Sequence, residues 1–350
     1  MTTDDELPIS VVIAAFNAER LIGRAIASVQ AQTRRAAEIV VVDDGSTDGT
    51  AAVARKMGAR VIAQENRGVG EARNRGARAA RYPWIAFLDA DDAWHPAKLE
   101  LQWPATQLRS SARLICTDFD YVSTAGVVER PNHMRTHHPY VSARRVPLGA
   151  NTTFIERSEA GRAFVRGNFI AFSTLLVAAE LILEGAFFSA RQDLVSTALC
   201  EEAEDLEWLL RVLRRTDVLA IDRSLMTYFA QPGSLSANAG RLRYGDVKIG
   251  ERVTADPARY VPGILPEIAR VRQQRQREAT LEFLRLGQAS NARFVAAEAY
   301  REHRSISWEG LLLVARLLET GPGRAVREAT RSAWRSRKEL LNAGARRQRS

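Results

Sequence analysis

Five apolar residues, Trp84-Ile85-Ala86-Phe87-Leu88, run straight into Asp89-Ala90-Asp91-Asp92, three carboxylates within four positions. The apolar run reads as a buried strand. Open α/β sheets bind their ligands beyond the carboxyl ends of the strands, so acids placed there line the ligand edge. Crowded carboxylates repel one another unless a cation sits among them. Hard oxygen ligands in a short cluster suit Mg²⁺ or Mn²⁺, and such ions usually hold a substrate phosphate as well. For the motif alone, a solvated acidic turn is the plain alternative.

The residues before this motif fix its setting. Ile9-Ser10-Val11-Val12-Ile13, Glu38-Ile39-Val40-Val41-Val42 and Arg60-Val61-Ile62-Ala63 read as three earlier strands. Leu21, Ile22, Ala25, Ile26 and Val29 recur at helical spacing between the first two, a helix is expected to start near Thr47 or Asp48, and another spans about 70–80. This strand–helix alternation predicts an α/β fold with a doubly wound, mostly parallel sheet. After residue 115 the regularity fades. Leu114-Ile115-Cys116-Thr117 and Val127-Val128 flank a glycine-containing turn and suggest a hairpin, 130–151 reads as a long polar loop, and 204–213 as a helix followed by a short strand at Leu219-Ala220-Ile221. From about Tyr244 the pattern is helical and Arg-rich. The expected organisation is a nucleotide-binding half over 1–115, an acceptor-binding half of the same domain over 116–240, and a helical extension over 241–350.

Composition narrows the class. The apolar fraction of 46% is that of a globular protein. The only cysteines, Cys116 and Cys200, match no zinc spacing and no disulfide framework, which fits a reducing cytosol. The N-terminus, Met1-Thr2-Thr3-Asp4-Asp5-Glu6, is acidic and lacks the pattern of a secretion signal. No apolar stretch reaches the ~20 residues of a membrane span. Of the net charge of +9, +7 lies between Arg324 and Ser350, where nine basic residues meet Glu328 and Glu339. The high isoelectric point therefore belongs to the tail. His133, His137 and His138 fit no standard metal-site spacing.

Two other strand ends belong beside the acidic cluster. Ala14-Ala15-Phe16-Asn17 follows the first strand and Asp43-Asp44-Gly45 the second. A ring at Phe16 can stack on a nucleobase, and a carboxylate at Asp44 can accept from a base imide. Asn66-Arg67-Gly68 through Ala72-Arg73-Asn74 adds a glycine-rich turn and cations suited to a diphosphate. A dinucleotide fingerprint is missing, because no glycine follows the first strand, and no P-loop occurs.

These four segments, in this order over about 85 residues, resemble the family two inverting glycosyltransferases. The resemblance continues more loosely to about Ser236. It implies the A-type glycosyltransferase fold, a nucleotide-sugar donor and a divalent ion, Mn²⁺ or Mg²⁺. It places Ala14, through its backbone, with Phe16, Asp44, Asn66 and Arg73 in the donor site, Asp89 at the ribose and Asp91 on the metal. Glu204-Asp205 resembles the family's Glu-Asp pair at a helix start, which makes Asp205 the base that deprotonates the acceptor. Attack of a hydroxyl on an anomeric carbon needs such a carboxylate opposite the leaving diphosphate. Acids at a helix start also suit the helix dipole without any catalysis. Gly185-Ala186-Phe187 matches the family's glycine–aromatic turn. Phe229 and Gln231 stand where the family usually offers Arg and His near the diphosphate; Arg223 and Arg73 are the candidate substitutes.

Val326, Ala329, Ala333, Trp334, Leu340 and Leu341 fall on one helical face of the tail, with an Arg/Lys stripe on another. With the apolar stretch from Trp308 to Leu318, this reads either as a surface for anionic membrane or as a helix packed on the enzyme. The expectation is a metal-dependent inverting glycosyltransferase acting on a polysaccharide or lipid-linked glycan, cytoplasmic or peripheral on the inner face of the plasma membrane, with no nucleic-acid partner. Its rivals are a non-catalytic nucleotide-sugar-binding anchor and a sugar nucleotidyltransferase. Asp91 and Asp205 argue against the first, and the glycine-free turn after the first strand against the second.

Overall fold

The computed structural model describes residues 6–136, 138–185, 187–189, 204–231 and 238–319. The first half alternates as its apolar runs dictate: β1 (Glu6–Ala15), α1 (Ile22–Gln30), β2 (Arg35–Asp43), α2 (Thr50–Lys56), β3 (Arg60–Ala63), α3 (Val69–Ala79) and β4 (Trp84–Asp89). Then come β5 (Ala93–Trp94), α4 (Lys98–Gln102), β6 (Leu114–Val122), β7 (Val128–Arg130), α5 (His133–Thr136), α6 (His138–Val141), β8 (Val146–Pro147) and β9 (Thr152–Ile155). After α7 (Arg157–Arg166), β10 (Leu176–Ala178), α8 (Ala179–Leu183), α9 (Glu204–Val212) and β11 (Val218–Phe229), the chain is helical: α10 (Ala239–Ala255), α11 (Leu265–Arg285), α12 (Ala289–His303) and α13 (Ile306–Glu319).

One sheet has the order β3-β2-β1-β4-β10-β6-β11-β9-β8. Its long ladders are parallel, β1 with β2 and β4, β2 with β3, and β6 with β11. Short antiparallel pairs involve β10, β9, β8, β5 and β7, and the last confirms the expected hairpin with β6. Ala14 pairs with both Val42 and Asp89, and Ala15 with Asp43. That register delivers the turns after β1, β2 and β4 to one edge.

Alternation along the strands buries both faces. Val12, Ile85, Phe87, Cys116 and Val177 meet Phe172 and Trp208 on one side, while Val11, Ile13, Trp84, Ala86 and Leu88 meet Ile22, Ile26 and Leu99 on the other. Gly76 lets α3 lie directly on β1, because a β-carbon there would stand 2.3 Å from Val12 Cγ1. This close approach sets the height of Arg73 and Asn74 over the sheet edge. The helical extension has its own small core of Tyr244, Val247, Ala279, Phe283, Ala292, Val295 and Ala315.

Two expectations from the sequence change. Residues 130–151 form short helical turns and a strand rather than a polar loop. The buried Asp118 carboxylate holds the first of these turns, accepting from Met134 N at 2.7 Å and Arg135 Nε at 3.0 Å. His133 lies against the Phe119 ring at 4.8 Å. The short strand at 219–221 is the start of twelve-residue β11. Asp222-Arg223-Ser224 interrupts its apolar pattern, but the Asp222 carboxylate is secured by the hydroxyls of Tyr140 and Thr153 at 2.5 and 2.6 Å.

Candidate active site

The turns after β1 and β2 are stitched together. Asn17, at φ 47°, accepts from Thr47 N at 2.9 Å, and its own N–H donates to Ser46 Oγ at 2.9 Å. Phe16 is left 51% exposed, with its ring open to a ligand. The Asp44 carboxylate is buried and accepts from Arg67 N, Gly68 N and Gln64 Nε2 at 2.9, 2.8 and 2.7 Å. Three donors on a group with about four lone-pair sites leave one place for a further N–H. Gly45, at φ 79°, allows the approach, since a β-carbon there would lie 2.8 Å from Asn66 N. Asn66 itself is exposed at the turn.

Arg73 does not reach outward with the donor-site residues. It is buried, with its Nη2 2.8 Å from Asp89 Oδ1, its Nη1 3.5 Å from Glu204 Oε1, and its guanidinium 4.2 Å above the Phe172 ring. Burial works against its charge, but Asp89 and Glu204 outweigh that and hold it cationic. Arg73 thus joins the acidic turn to the start of α9.

The three carboxylates of the turn have separate environments. Asp89 is the partly exposed partner of Arg73. Asp92 is buried; it accepts from Ser173 Oγ at 2.6 Å and faces Phe229 N at 3.4 Å, tying the turn to the sheet. Burial, together with its two acidic neighbours, pushes its carboxyl well above the usual range. Asp91 is pushed up to about 6, first by burial and then by Asp89. A carboxyl held up by its neighbours' charge is relieved by a cation. Among the described residues no three His, Cys, Asp or Glu side chains converge on one point. Asp91, with Asp89 beside it, offers one or two carboxylates of the kind that hold a hard divalent ion whose shell is completed by ligand phosphates.

Across the site, Asp205 begins α9. Asn168 Nδ2 donates to its Oδ2 at 3.2 Å and Leu206 N to its Oδ1 at 2.7 Å. Burial pushes its carboxyl up, opposed by the Leu206 N–H and Arg73. The fold thus brings Ala14, Phe16, Asp44, Asn66, Asp89, Asp91 and Asp205 to one sheet edge, with Arg73 beneath them.

Arg24 was not visible as a site residue in the sequence. It comes from the first turns of α1, donates through Nη2 to the Asp91 carbonyl at 2.5 Å, and lies 3.7 Å over the Phe229 ring. Phe229 is one of the two positions lacking the family's usual cations. Arg223, the other candidate substitute, is exposed on β11. Gln231 stays near its own strand, with its Nε2 3.4 Å from Phe229 O. Ala186 of the glycine–aromatic turn lies outside the described residues, as do Pro232 to Ser236.

The parallel sheet edge with its acidic turn, the mixed second half and the helix-borne carboxylate define the A-type glycosyltransferase fold. S. aureus TarS residues 1–349, solved in complex with UDP-GlcNAc, superposes with a TM-score of 0.57 at 17% identity, covering 93% of this chain and 92% of that one. The Pyrobaculum calidifontis mannosyltransferase PcManGT, solved with GDP-Man and Mn²⁺, gives 0.54 at 16% identity, covering 92% and 83%. Residues 10–164 match the model of Glycosyl transferase family 2. The succinoglycan biosynthesis protein ExoO of Rhizobium meliloti is 40% identical over 127 residues, 35% of this chain and 36% of that one. The Escherichia coli UDP-Glc:alpha-D-GlcNAc-diphosphoundecaprenol beta-1,3-glucosyltransferase WfaP is 37% identical over 98 residues, 27% and 39% of the two chains. The chain spans about a third of the length of the first curated relatives it matches.

Proposed function

We propose that the chain transfers a sugar from a nucleotide diphosphate donor to a hydroxyl of a polysaccharide or lipid-linked glycan, with inversion at the anomeric carbon. The observation that carries this is the Arg73 bridge, which joins Asp89 of the acidic turn to Glu204, the chain neighbour of Asp205 at the start of α9. Phe16 stacks the base, and Asp44 offers it the remaining acceptor site. Asn66 and the Ala14 backbone border it, and Asp89 takes the ribose hydroxyls. Arg73 acts through Asp89 as a positioning residue. Asp91 would hold Mn²⁺ or Mg²⁺, which neutralises charge on the departing diphosphate. Arg24, laid on Phe229, supplies the cation that the 229–231 segment lacks. The acceptor oxygen forms the new bond to the anomeric carbon as the bond to the diphosphate breaks, and its proton passes to Asp205. Burial raises the basicity of that carboxylate toward the working pH.

Envelope or exopolysaccharide assembly is the setting, as the printed functions of ExoO and WfaP suggest. The site of action is the cytoplasmic face of the membrane. No helix among the described residues is long and apolar enough to cross a bilayer. α13 buries Trp308, Leu312 and Ala315 but leaves Leu313 and Leu317 each 56% exposed, just before the basic tail. The tail itself, 324–350, lies outside the described residues. An exposed apolar strip followed by cationic sequence supports attachment to an anionic surface. The direct test of the transfer reading compares Asp205→Asn with the native enzyme and determines the configuration of the product.

A further inference from the structure

Asp205 is held from behind. Asn168 Oδ1 accepts from Ile170 N at 3.0 Å, which turns its amide so that Nδ2 donates to Asp205 Oδ2 at 3.2 Å. With Leu206 N on Oδ1, each carboxylate oxygen has a fixed donor and keeps lone-pair capacity for a further proton. Asn168 lies in the short link after α7, two residues beyond Arg166, and that link is placed by its anchors. On one side the Phe169 ring stacks on Phe164 of α7, with centroids 4.5 Å apart. On the other, the Arg166 carbonyl accepts from Arg275 Nη2. It is one of the carbonyls that a helix C-terminus leaves without an intrahelical partner.

Arg275 comes from α11, 109 residues further along the chain. It is buried, its Nη1 donates to Glu278 Oε2 at 2.7 Å, and its Nε stands 3.5 Å from Asp246 Oδ2 on α10. One guanidinium thus ties α7, α10 and α11 together, a task for a planar fork rather than a point charge. These helices are continuous with the one that carries Asp205. Ile249, Val253 and Ile268 of the extension share a core with Leu206, Leu209 and Leu210 of α9. Asp246 also senses Asp205: its carboxyl is raised to about 6, first by burial and in smaller part by Asp205, against Arg275 and Arg243. Apolar contact alone would dock the extension. It would not fix the backbone two residues before Asn168.

We propose that Asn168 and Arg275 are positioning residues for Asp205, so that the helical extension is part of the catalytic apparatus. The proposal rests on the reading of Asp205 as the acceptor-side base. Transfer depends steeply on where that carboxylate stands, and a misplacement of about 1 Å costs on the order of 100-fold. The contacts run from Arg275 through the Arg166 carbonyl and Asn168 to Asp205 and include none of the donor-site residues. Their loss therefore falls on turnover, not on donor binding.

The experiment uses the full chain with Mn²⁺, a lipid-linked glycan extract as acceptor, and whichever of labelled UDP-glucose, UDP-GlcNAc or GDP-mannose the native chain transfers. Turnover, donor KM and nucleoside diphosphate affinity are measured below every melting midpoint. The proteins are native, Asn168→Ala, Arg275→Met, Arg275→Lys, Asn168→Ala/Arg275→Met, Asp205→Asn and a control, Arg272→Met. The control removes α11 ion pairs to Glu251 and Glu302 at 2.9 and 2.7 Å that do not reach α7. Asn168→Ala and Arg275→Met are each expected to lower kcat about 10-fold, with donor KM and diphosphate affinity within about twofold of native. The double variant should lose little more than Asn168→Ala, because both act through one contact. Arg272→Met should lower the melting midpoint and leave kcat near native. If Arg275→Met does not fold, Arg275→Lys decides: it keeps a cation beside Asp246 and Glu278 but cannot also span to the Arg166 carbonyl, and kcat should still fall. Native turnover in a folded Arg275 variant, losses that multiply in the double variant, or an equal loss in Arg272→Met overturns the proposal. Native turnover in Asn168→Ala beside an inactive Asp205→Asn overturns the positioning role alone. Native turnover in Asp205→Asn overturns the base reading, and this proposal with it.

Discussion

Arg73 donates to Asp89 at 2.8 Å from a buried position on α3, and its other amino group lies 3.5 Å from Glu204. One cation therefore neutralises a carboxylate on each side of the site. Removing one partner of such a pair strands a buried charge, at a cost of ~3–5 kcal/mol. Arg73→Met is expected to lower the melting midpoint markedly, and Arg73→Lys to recover part of the loss. Glu204→Gln should restore stability to Arg73→Met more than to the native protein. Additive effects in this double-mutant cycle would remove the bridge from the account.

Arg24 makes its prediction through ligand chemistry. If it meets the diphosphate, Arg24→Ala should weaken nucleoside diphosphates about 10-fold while leaving nucleosides nearly unaffected. Phe229→Ala, which removes the ring beneath it, should give a smaller loss of the same kind. Calorimetric titration with nucleoside, monophosphate and diphosphate reads the difference. An equal loss across all three would make Arg24 a support of the Asp91 turn only.

Asp91 carries a cost in the metal-free protein. Its folded pKa of about 6 exceeds the unfolded value, so the folded state binds the proton more tightly. That stabilising proton is fully present below about pH 4, the unfolded value, and lost as pH rises through about 6. Asp91→Asn should therefore stabilise the chelator-treated protein above pH 6, by on the order of 2 kcal/mol, with the gain shrinking toward pH 4. The same variant should lose the additional stabilisation that Mn²⁺ gives with nucleoside diphosphate. Native metal-dependent affinity should fall as pH drops below about 6, because proton and metal compete for one carboxylate. A pH-independent stability difference would contradict the assignment.

Much of this was legible in the sequence because each first-half strand is a short apolar run ending at a polar motif. Strands β1 to β4 and helices α1 and α3 fall within a few residues of their expected places, and the acidic turn stands at the sheet edge. Arg73 was legible as a site residue but not as a buried one, since its partner Glu204 lies far along the chain. Arg24 occupies an ordinary solvent-side position of an amphipathic helix, and nothing local marks its contact with Phe229. The turns around His133 and Tyr140 are too short for periodicity; the first is held by the buried Asp118 carboxylate and the second by the Asp222 carboxylate, contacts invisible to pattern.

The membrane reading is tested on vesicles. Binding to phosphatidylglycerol vesicles should weaken at high salt and on truncation after Gly323, since each basic residue near such a surface contributes about 1 kcal/mol. Leu313→Asp/Leu317→Asp should weaken it further while preserving the fold, because both side chains are exposed. Equal binding by all these proteins would exclude a role for α13 and the tail. Aggregation of the truncated chain with unaltered binding by Leu313→Asp/Leu317→Asp would favour a helix packed on the enzyme.

The most direct measurement is transfer itself. A nucleotide-sugar panel screened by thermal shift selects the donor, and a lipid-linked glycan extract supplies acceptors. Native enzyme and Asp205→Asn are then compared at equal donor saturation, and the product's anomeric configuration is determined by NMR. The expected result is an inverted product, with donor affinity preserved in Asp205→Asn and turnover reduced on the order of 100-fold or more. A retained configuration, or near-native turnover by Asp205→Asn, would contradict the account.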